Sequence, residues 1–187
     1  MDETAAQEWA DRLIDEFESL PGVFAASNEA RSRAVMGNRA ALAAIEAVKR
    51  ALLHVTGLRL QLRPLLTSTS ALYDYLNIEH AYSVIEIVRV LYLDARLGLI
   101  KDEVLSKGTL DDAPVYPQVI IRRALELYAG GIVLVHNHPS GDPTPSRADI
   151  AITRAIIAAG KPLDVILHDH VIVARGHHVS FRREGLV

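Results

Sequence analysis

At 187 residues, half of them apolar, 23% charged and with a net charge of −3, the chain is long enough for one medium-sized globular domain and a small appendage. It has no cysteine, which excludes a disulfide framework and a thiolate metal site, and no window approaching 18 uninterrupted apolar residues, so no membrane span is expected. The acidic start Met1-Asp2-Glu3 lacks the basic and apolar stretches of a secretory signal, which makes a cytoplasmic location the default expectation.

Residues 1–20 carry seven acids against Arg12 alone. Trp9, Leu13, Phe17 and Leu20 recur at intervals of three and four, the stripe of an amphipathic helix over residues 4–19. Pro21-Gly22 should end it, with residues 23–26 turn-like. Asn28 is placed to cap a short helix to about Val35. Gly37-Asn38 makes a break, and residues 39–54 predict an alanine-rich helix with Leu42, Ile45, Val48 and Leu52 inward and Gly57 just past its end. Residues 31–63 hold seven bases against Glu46 alone. Such a stretch either meets phosphates or is neutralised by the acidic first helix. Residues 58–69, interrupted by Pro64, read as a linker, and residues 71–77 as a short helix capped by Ser70.

Residues 82–94 are β-branched and aromatic and apolar on both phases, which predicts a central strand. Glu86 falls inside it, in phase with Val84, Val88 and Val90. A buried carboxylate is costly unless paired or protonated. Glu86 is therefore either the partner of an arginine such as Arg89 or Arg122, or a general base with a raised pKa. Spacing alone does not choose it over Glu79, Glu103 or Glu126. Residues 97–107 predict a second strand across the Ala95-Arg96 turn. Pro117 suits the first turn of a helix to Ala129, with Val119, Ile120, Ala124, Leu125 and Leu127 inward. Residues 131–135 read as a buried strand and 146–159 as a helix. Residues 163–167 and 171–174 read as two strands around His168-Asp169-His170, and residues 179–181 as a last edge piece. Mixed strands with helices before and after them make an α/β fold.

The chemistry concentrates in Leu134-Val135-His136-Asn137-His138-Pro139-Ser140-Gly141-Asp142-Pro143-Thr144-Pro145-Ser146-Arg147-Ala148-Asp149. On a strand His136 and His138 project to one side, and on a helix Ser146 and Asp149 share the first turn. The prolines and Gly141 restrict the loop between them. Two imidazoles and a carboxylate can thus converge, the three protein ligands of one kind of catalytic zinc site with a further position left for water. Iron, manganese or cobalt would suit the same donors. The competing reading is a surface turn, with Ser146 as helix N-cap and Asp149 favouring the helix dipole. His168-x-His170 repeats the His-x-His spacing but lacks a following carboxylate. His177 and His178 read as surface residues on a turn.

His-x-His, seven residues, Ser, two residues, Asp resembles the JAMM motif of the MPN+ metallopeptidases. The longer string from His136 to Pro143, with Pro145, Ser146 and Asp149, resembles the RadC branch of that superfamily. Val90 to Asp94, Lys107-Gly108-Thr109, Asp169-His170 to Val173, Ser180 and Gly185 agree with it. The resemblance covers roughly residues 70–187. It implies a JAMM/MPN-like (cytidine-deaminase-like) mixed β-sheet with flanking helices over residues 64–187. A small all-α, helix-hairpin-helix-like segment over residues 1–63 would precede it. It implies one Zn²⁺ held by His136, His138 and Asp149, with Glu86 as general base and Ser146 as oxyanion donor. Asp169 and His170 match a family Asp-His pair with a supporting or structural role.

The activity so implied is that of a zinc-dependent hydrolase, a metallopeptidase or isopeptidase in which metal-activated water attacks an amide bond of a peptide or protein substrate. The alternative is a DNA-associated accessory protein of repair or recombination, touching phosphates weakly through Arg39, Lys49 and Arg50. The family's Gly-hydrophobe-Gly hairpin is Val35-Met36-Gly37 here, without its first glycine. No membrane contact is expected, and a homodimer is possible.

Overall fold

The computed structural model describes the backbone of residues 3–62, 69–79, 82–108 and 115–187, and side chains within most of these. The amino-terminal helices are α1 (Glu3–Phe17), α2 (Leu20–Ala25), α3 (Asn28–Ala34) and α4 (Arg39–Leu62). Trp9, Leu13, Phe17, Val23, Val35, Ala41, Leu42 and Ile45 pack into their own small core. Pro21-Gly22 does not simply end α1. Pro21 occupies the first turn of α2, where its missing N–H costs nothing, and the Ser19 hydroxyl accepts from Gly22 N–H. The cap of α3 is Ser27, accepting from Ala30 N–H, while Asn28 instead accepts from Arg31 at 2.6 Å. Asn38 caps α4 through Ala41 N–H. Gly57 lies within α4, so the expected linker begins no earlier than residue 63. Residues 63–68, and with them the expected domain boundary, lie outside the described residues.

Within the basic stretch, Glu46 lies between Arg31 and Arg50 (3.9 and 2.9 Å), and Lys49 donates to the Phe24 carbonyl at 3.2 Å. Arg39 is exposed at the start of α4.

Helix α5 (Thr69–Glu79) leads into the sheet: β1 (Ile87–Leu93), β2 (Leu99–Lys107), α6 (Pro117–Glu126), β3 (Gly131–Asn137), α7 (Arg147–Gly160), β4 (Ile166–Ala174) and β5 (His177–Ser180). The five strands lie in the order β2-β1-β3-β4-β5, with only the β3–β4 pair parallel. Alternate residues of β1 and β3 feed two cores. Leu91, Leu93, Val133 and Val135 meet Leu72, Tyr73 and Leu76 of α5. Val90, Tyr92, Ile132 and Leu134 meet Ile120, Ile121 and Ala124 of α6 and Ile156 of α7. On α6 the buried face is Ile120, Ile121 and Ala124, whereas Val119 and Leu125, expected inward, are 42% and 46% exposed.

Two departures bear on function. Strand β1 starts at Ile87, not Tyr82, so Glu86 precedes the strand and Val84 is 85% exposed. The two expected strands around His168-Asp169-His170 are one strand, β4, with an irregular register: Ile132 pairs with Leu167, but Val133 pairs with Asp169. His168 is the extra residue of this bulge, which reverses the phase of everything after it. Leu167 faces α6 and α7, while Val171 and Val173 face α5. His170 is thereby turned to the α7 side. His168 is left beside Gly131, where a Cβ would run into its ring. The rival His-x-His pair is split by the backbone itself.

Candidate metal centre

His136 continues the phase of Ile132 and Leu134, so strand β3 aims it at α7. His138 follows at the strand's end, anchored by its N–H to the Val173 carbonyl at 2.9 Å. The loop then turns back on itself. Gly141, at φ 88°, donates its N–H to the His138 carbonyl at 3.1 Å. Asp142 accepts from both the N–H and the hydroxyl of Thr144, and its own carbonyl meets His138 Nδ1 at 2.8 Å.

Helix α7 opens with a capping box. The Ser146 hydroxyl accepts from Asp149 N–H at 3.1 Å, and Asp149 Oδ2 accepts from Ser146 N–H at 2.7 Å. The N-cap reading of Ser146 is therefore correct, and it serves the site. The same box that starts the helix fixes the orientation of the Asp149 carboxylate. Asp149 is buried at 1% exposure, over Val88, Val115, Leu134 and Ile152.

The proton positions follow from one carbonyl. Thr153 Oγ1 lies 2.5 Å from the Asp149 carbonyl, which can only accept, so the hydroxyl donates there. Thr153 Oγ1 must then accept from His170 Nδ1–H, 2.6 Å away. Burial pushes the His170 imidazole well below its ordinary pKa, so it is neutral and its Nε2 is bare. That Nε2, at 2.8 Å, accepts from His136 Nδ1–H. His136 Nε2 is thereby turned to the centre, and His138, whose Nδ1 meets the Asp142 carbonyl, turns its own Nε2 there.

Three potential ligand atoms therefore face one another. The Nε2 atoms of His136 and His138 are 3.0 Å apart; Asp149 Oδ1 is 3.1 Å from the first, and Oδ2 is 3.6 Å from the second. Asp149 Oδ1 is buried and accepts no hydrogen bond among the described residues. Mutually facing lone pairs repel unless a cation or an extra proton sits among them. Ligands at about 2.0–2.1 Å around a tetrahedral ion would stand about 3.3 Å from each other, so the donor set fits a zinc-sized ion. Among the described residues these three form the one group of histidine and carboxylate side chains able to hold a metal ion.

The electrostatics agree. With a proton rather than an ion among the three groups, the imidazoles become donors to Asp149: burial alone would raise its carboxyl, but hydrogen bonds from His136, His138 and Ser146 N–H outweigh burial and hold it well below the usual carboxylate range. Asp149 and the Asp142 carbonyl raise His138 above the ordinary imidazole value, against the pull of burial. The charge of Glu86 adds to that rise, which puts its half-buried carboxylate within electrostatic reach of His138. The arginines expected to pair with Glu86 have other carboxylates beside them: Asp102 lies 2.6 Å from Arg89, and Glu126 lies 3.7 Å from Arg122.

His136, His138, Ser146 and Asp149 thus come together at one end of the sheet, with Glu86 in electrostatic reach of His138. Asp169 lies on the opposite side of β4 from His170, accepting from His170 N–H, the Ser180 hydroxyl and Arg182 N–H. His178 is not a turn residue but lies on β5, its ring stacked 3.5 Å from Tyr73. The roles of Thr153 and of the Asp142 carbonyl were missed in the sequence. Thr153 is four residues after Asp149 on α7, a spacing that places its hydroxyl at the Asp149 carbonyl. The carbonyl carries no residue-type signal at all.

The RadC-like JAB domain matches this chain over residues 66–186. A UPF0758 protein of Rhodobacter capsulatus is 45% identical over 179 residues, which span 95% of this chain and 83% of that protein. On both grounds, and with the sheet, loop and capped helix that carry its motif in place, the chain belongs to the RadC family of JAB-domain proteins.

Proposed function

We propose that this chain is a zinc-dependent hydrolase of amide bonds, a metallopeptidase or isopeptidase, with His136, His138 and Asp149 as the metal ligands. The observation that carries the reading is the convergence of three potential ligand atoms at 3.0–3.6 Å, on side chains each held by a partner on its far side. Zinc held there would supply Lewis acidity, bringing the pKa of water down towards neutrality. Glu86 is the general base: its carboxylate takes the proton of the attacking water and returns it to the leaving amine. Ser146 uses its oxygen lone pair for Asp149 N–H, so its own proton is available to donate to the oxyanion of the tetrahedral intermediate. One such donor contributes about 3 kcal/mol. His170 and Thr153 hold His136 in the tautomer that presents Nε2, and Asp142 does the same for His138.

The amino-terminal helices have a separate hydrophobic core. We infer that they form a module of their own over roughly residues 1–63. DNA contact through Arg39, Lys49 and Arg50 has less to support it: the Lys49 ammonium and the Arg50 guanidinium already have protein partners.

The test is hydrolysis of quenched fluorescent peptide and isopeptide libraries by the zinc-loaded protein. Cleavage that is abolished by a chelator and by Glu86→Gln, the latter with zinc retained, supports the reading. Cleavage indifferent to both, or none across the libraries with zinc bound, argues against it.

A further inference from the structure

We propose that Asn137, the residue between the two histidines, is a positioning residue that sets the place of the Glu86 carboxylate. The proposal rests on the reading of Glu86 as the base. The β1–β3 ladder ends with the Val88–His136 pair. Continued by one residue, it would join Ile87 to Asn137 through main-chain bonds. In their place stands the Asn137 carboxamide. Its Oδ1 accepts from Ile87 N–H at 2.8 Å, and its Nδ2 donates to the carbonyls of Ile85 at 3.0 Å and Ser83 at 3.4 Å.

Both ends of the carboxamide are thus spent on residues 83–87, the segment that carries Glu86. Asn137 is fully buried, at 0% exposure. From the other side, Gly108 donates its N–H to the Glu86 carbonyl at 2.9 Å. The backbone of Glu86 is therefore gripped between a side chain of the metal-bearing strand and the end of β2.

Asparagine is a poor strand former, and a buried carboxamide is costly unless its bonds are made. Its presence within β3 is explained by this clamp. An aspartate would lose both donated bonds, a serine could not reach three main-chain groups, and an alanine would make none. Because 136 and 138 point to one face and 137 to the other, one tripeptide holds the metal with its outer residues and places the base with its middle one. A displacement of about 1 Å in a catalytic group can cost about 10²-fold in rate, which is the scale on which such a clamp matters.

The experiment uses the full chain loaded with Co²⁺, whose visible absorption reports the ligand field and its pH midpoint. Wild type, Glu86→Gln, Asn137→Ala and the double variant are compared, with amide hydrogen exchange at Ile87. The proposal expects Asn137→Ala to bind one cobalt with near-wild-type affinity. It expects the Ile87 amide to exchange about tenfold faster, the loss of one ordinary hydrogen bond. It also expects Glu86→Gln to move the cobalt pH midpoint in the wild-type background and not in the Asn137→Ala background. An equal shift in both backgrounds, or unchanged Ile87 exchange, overturns the positioning role while leaving Glu86 as base. No shift on Glu86→Gln in the wild-type background overturns the base reading itself and this proposal with it. If Asn137→Ala does not fold, Asn137→Asp, which keeps the acceptor and loses both donors, takes its place with the same expectations for affinity and midpoint.

Discussion

His136 Nδ1 lies 2.8 Å from Nε2 of His170, a histidine from the neighbouring parallel strand that is itself held by Thr153 at 2.6 Å. This chain of bonds, ending on the Asp149 carbonyl, decides which nitrogen of His136 faces the centre. Loss of such a supporting partner typically costs 10–100-fold in metal affinity. His170→Phe is expected to weaken zinc binding by about that factor, measured by competition with a chelator, while full stoichiometry is still reached at saturating zinc. His168→Ala, at the bulged residue itself, should leave the affinity unchanged. Equal effects of the two substitutions would contradict the assigned relay.

The N-cap role of Ser146 and the oxyanion role proposed for it are separable from metal binding by one substitution. Ser146→Ala removes the N-cap of α7 and should lower unfolding stability by about 1 kcal/mol in urea titrations. It should leave metal content intact and, once a cleavable substrate is in hand, reduce kcat by about 10²–10³. Asp149→Asn disturbs the same capping box but should abolish tight metal binding. Metal loss in both variants would mean that Ser146 acts only through the helix.

The pH dependence of the metal-free protein has a definite sign. His170 is neutral in the fold, while an unfolded histidine takes up a proton below about pH 6.5. The unfolded state then binds more protons, so stability falls as pH drops through that value, with a slope of up to about 1.4 kcal/mol per pH unit. His138, raised by Asp149, works oppositely: its contribution is full below the ordinary imidazole value and is lost as pH rises through its raised folded value. Asp149, lowered, loses its contribution only below about pH 4, the unfolded carboxylate range. Urea unfolding with chelator at pH 7.5 and 5.5 should therefore show a larger acid loss for wild type than for His170→Gln. Equal losses would contradict a neutral His170.

Tyr92 is fully buried, and its hydroxyl has no hydrogen-bond partner among the described residues. Burial, with Glu103 nearby, pushes its phenol up to about 12. Tyr92→Phe removes an unsatisfied polar atom without leaving a cavity, so stability should be unchanged or rise by up to about 1 kcal/mol. A loss of more than about 1 kcal/mol, read from thermal or urea unfolding, would show that the hydroxyl has an unseen partner.

What the sequence made legible divides along physical lines. His136, His138, Ser146 and Asp149 could be placed because strand and helix periodicities are short-range, and a loop stiffened by proline joins them. The sheet's apolar strands declared themselves for the same reason. The bulge at His168 could not be read, since one extra residue in a strand leaves no mark in the apolar pattern. Without it, His170 would have been assigned to the wrong side of β4. The start of β1 was misplaced by five residues because Val84 and Ile85 are as β-branched as the strand that follows. What ends the ladder there is a side chain fifty residues away, Asn137. On α6, Val119 and Leu125 lie just off the stripe through Ile120, Ile121 and Ala124, and a stripe's exact centre depends on the surface it meets.

The most direct test of the account is elemental analysis of the purified protein beside His138→Ala and Glu86→Gln. Wild type and Glu86→Gln should each carry about one divalent ion per chain, and His138→Ala should carry essentially none. Full metal content in His138→Ala, or a wild type that takes up no divalent ion when offered zinc, would contradict it.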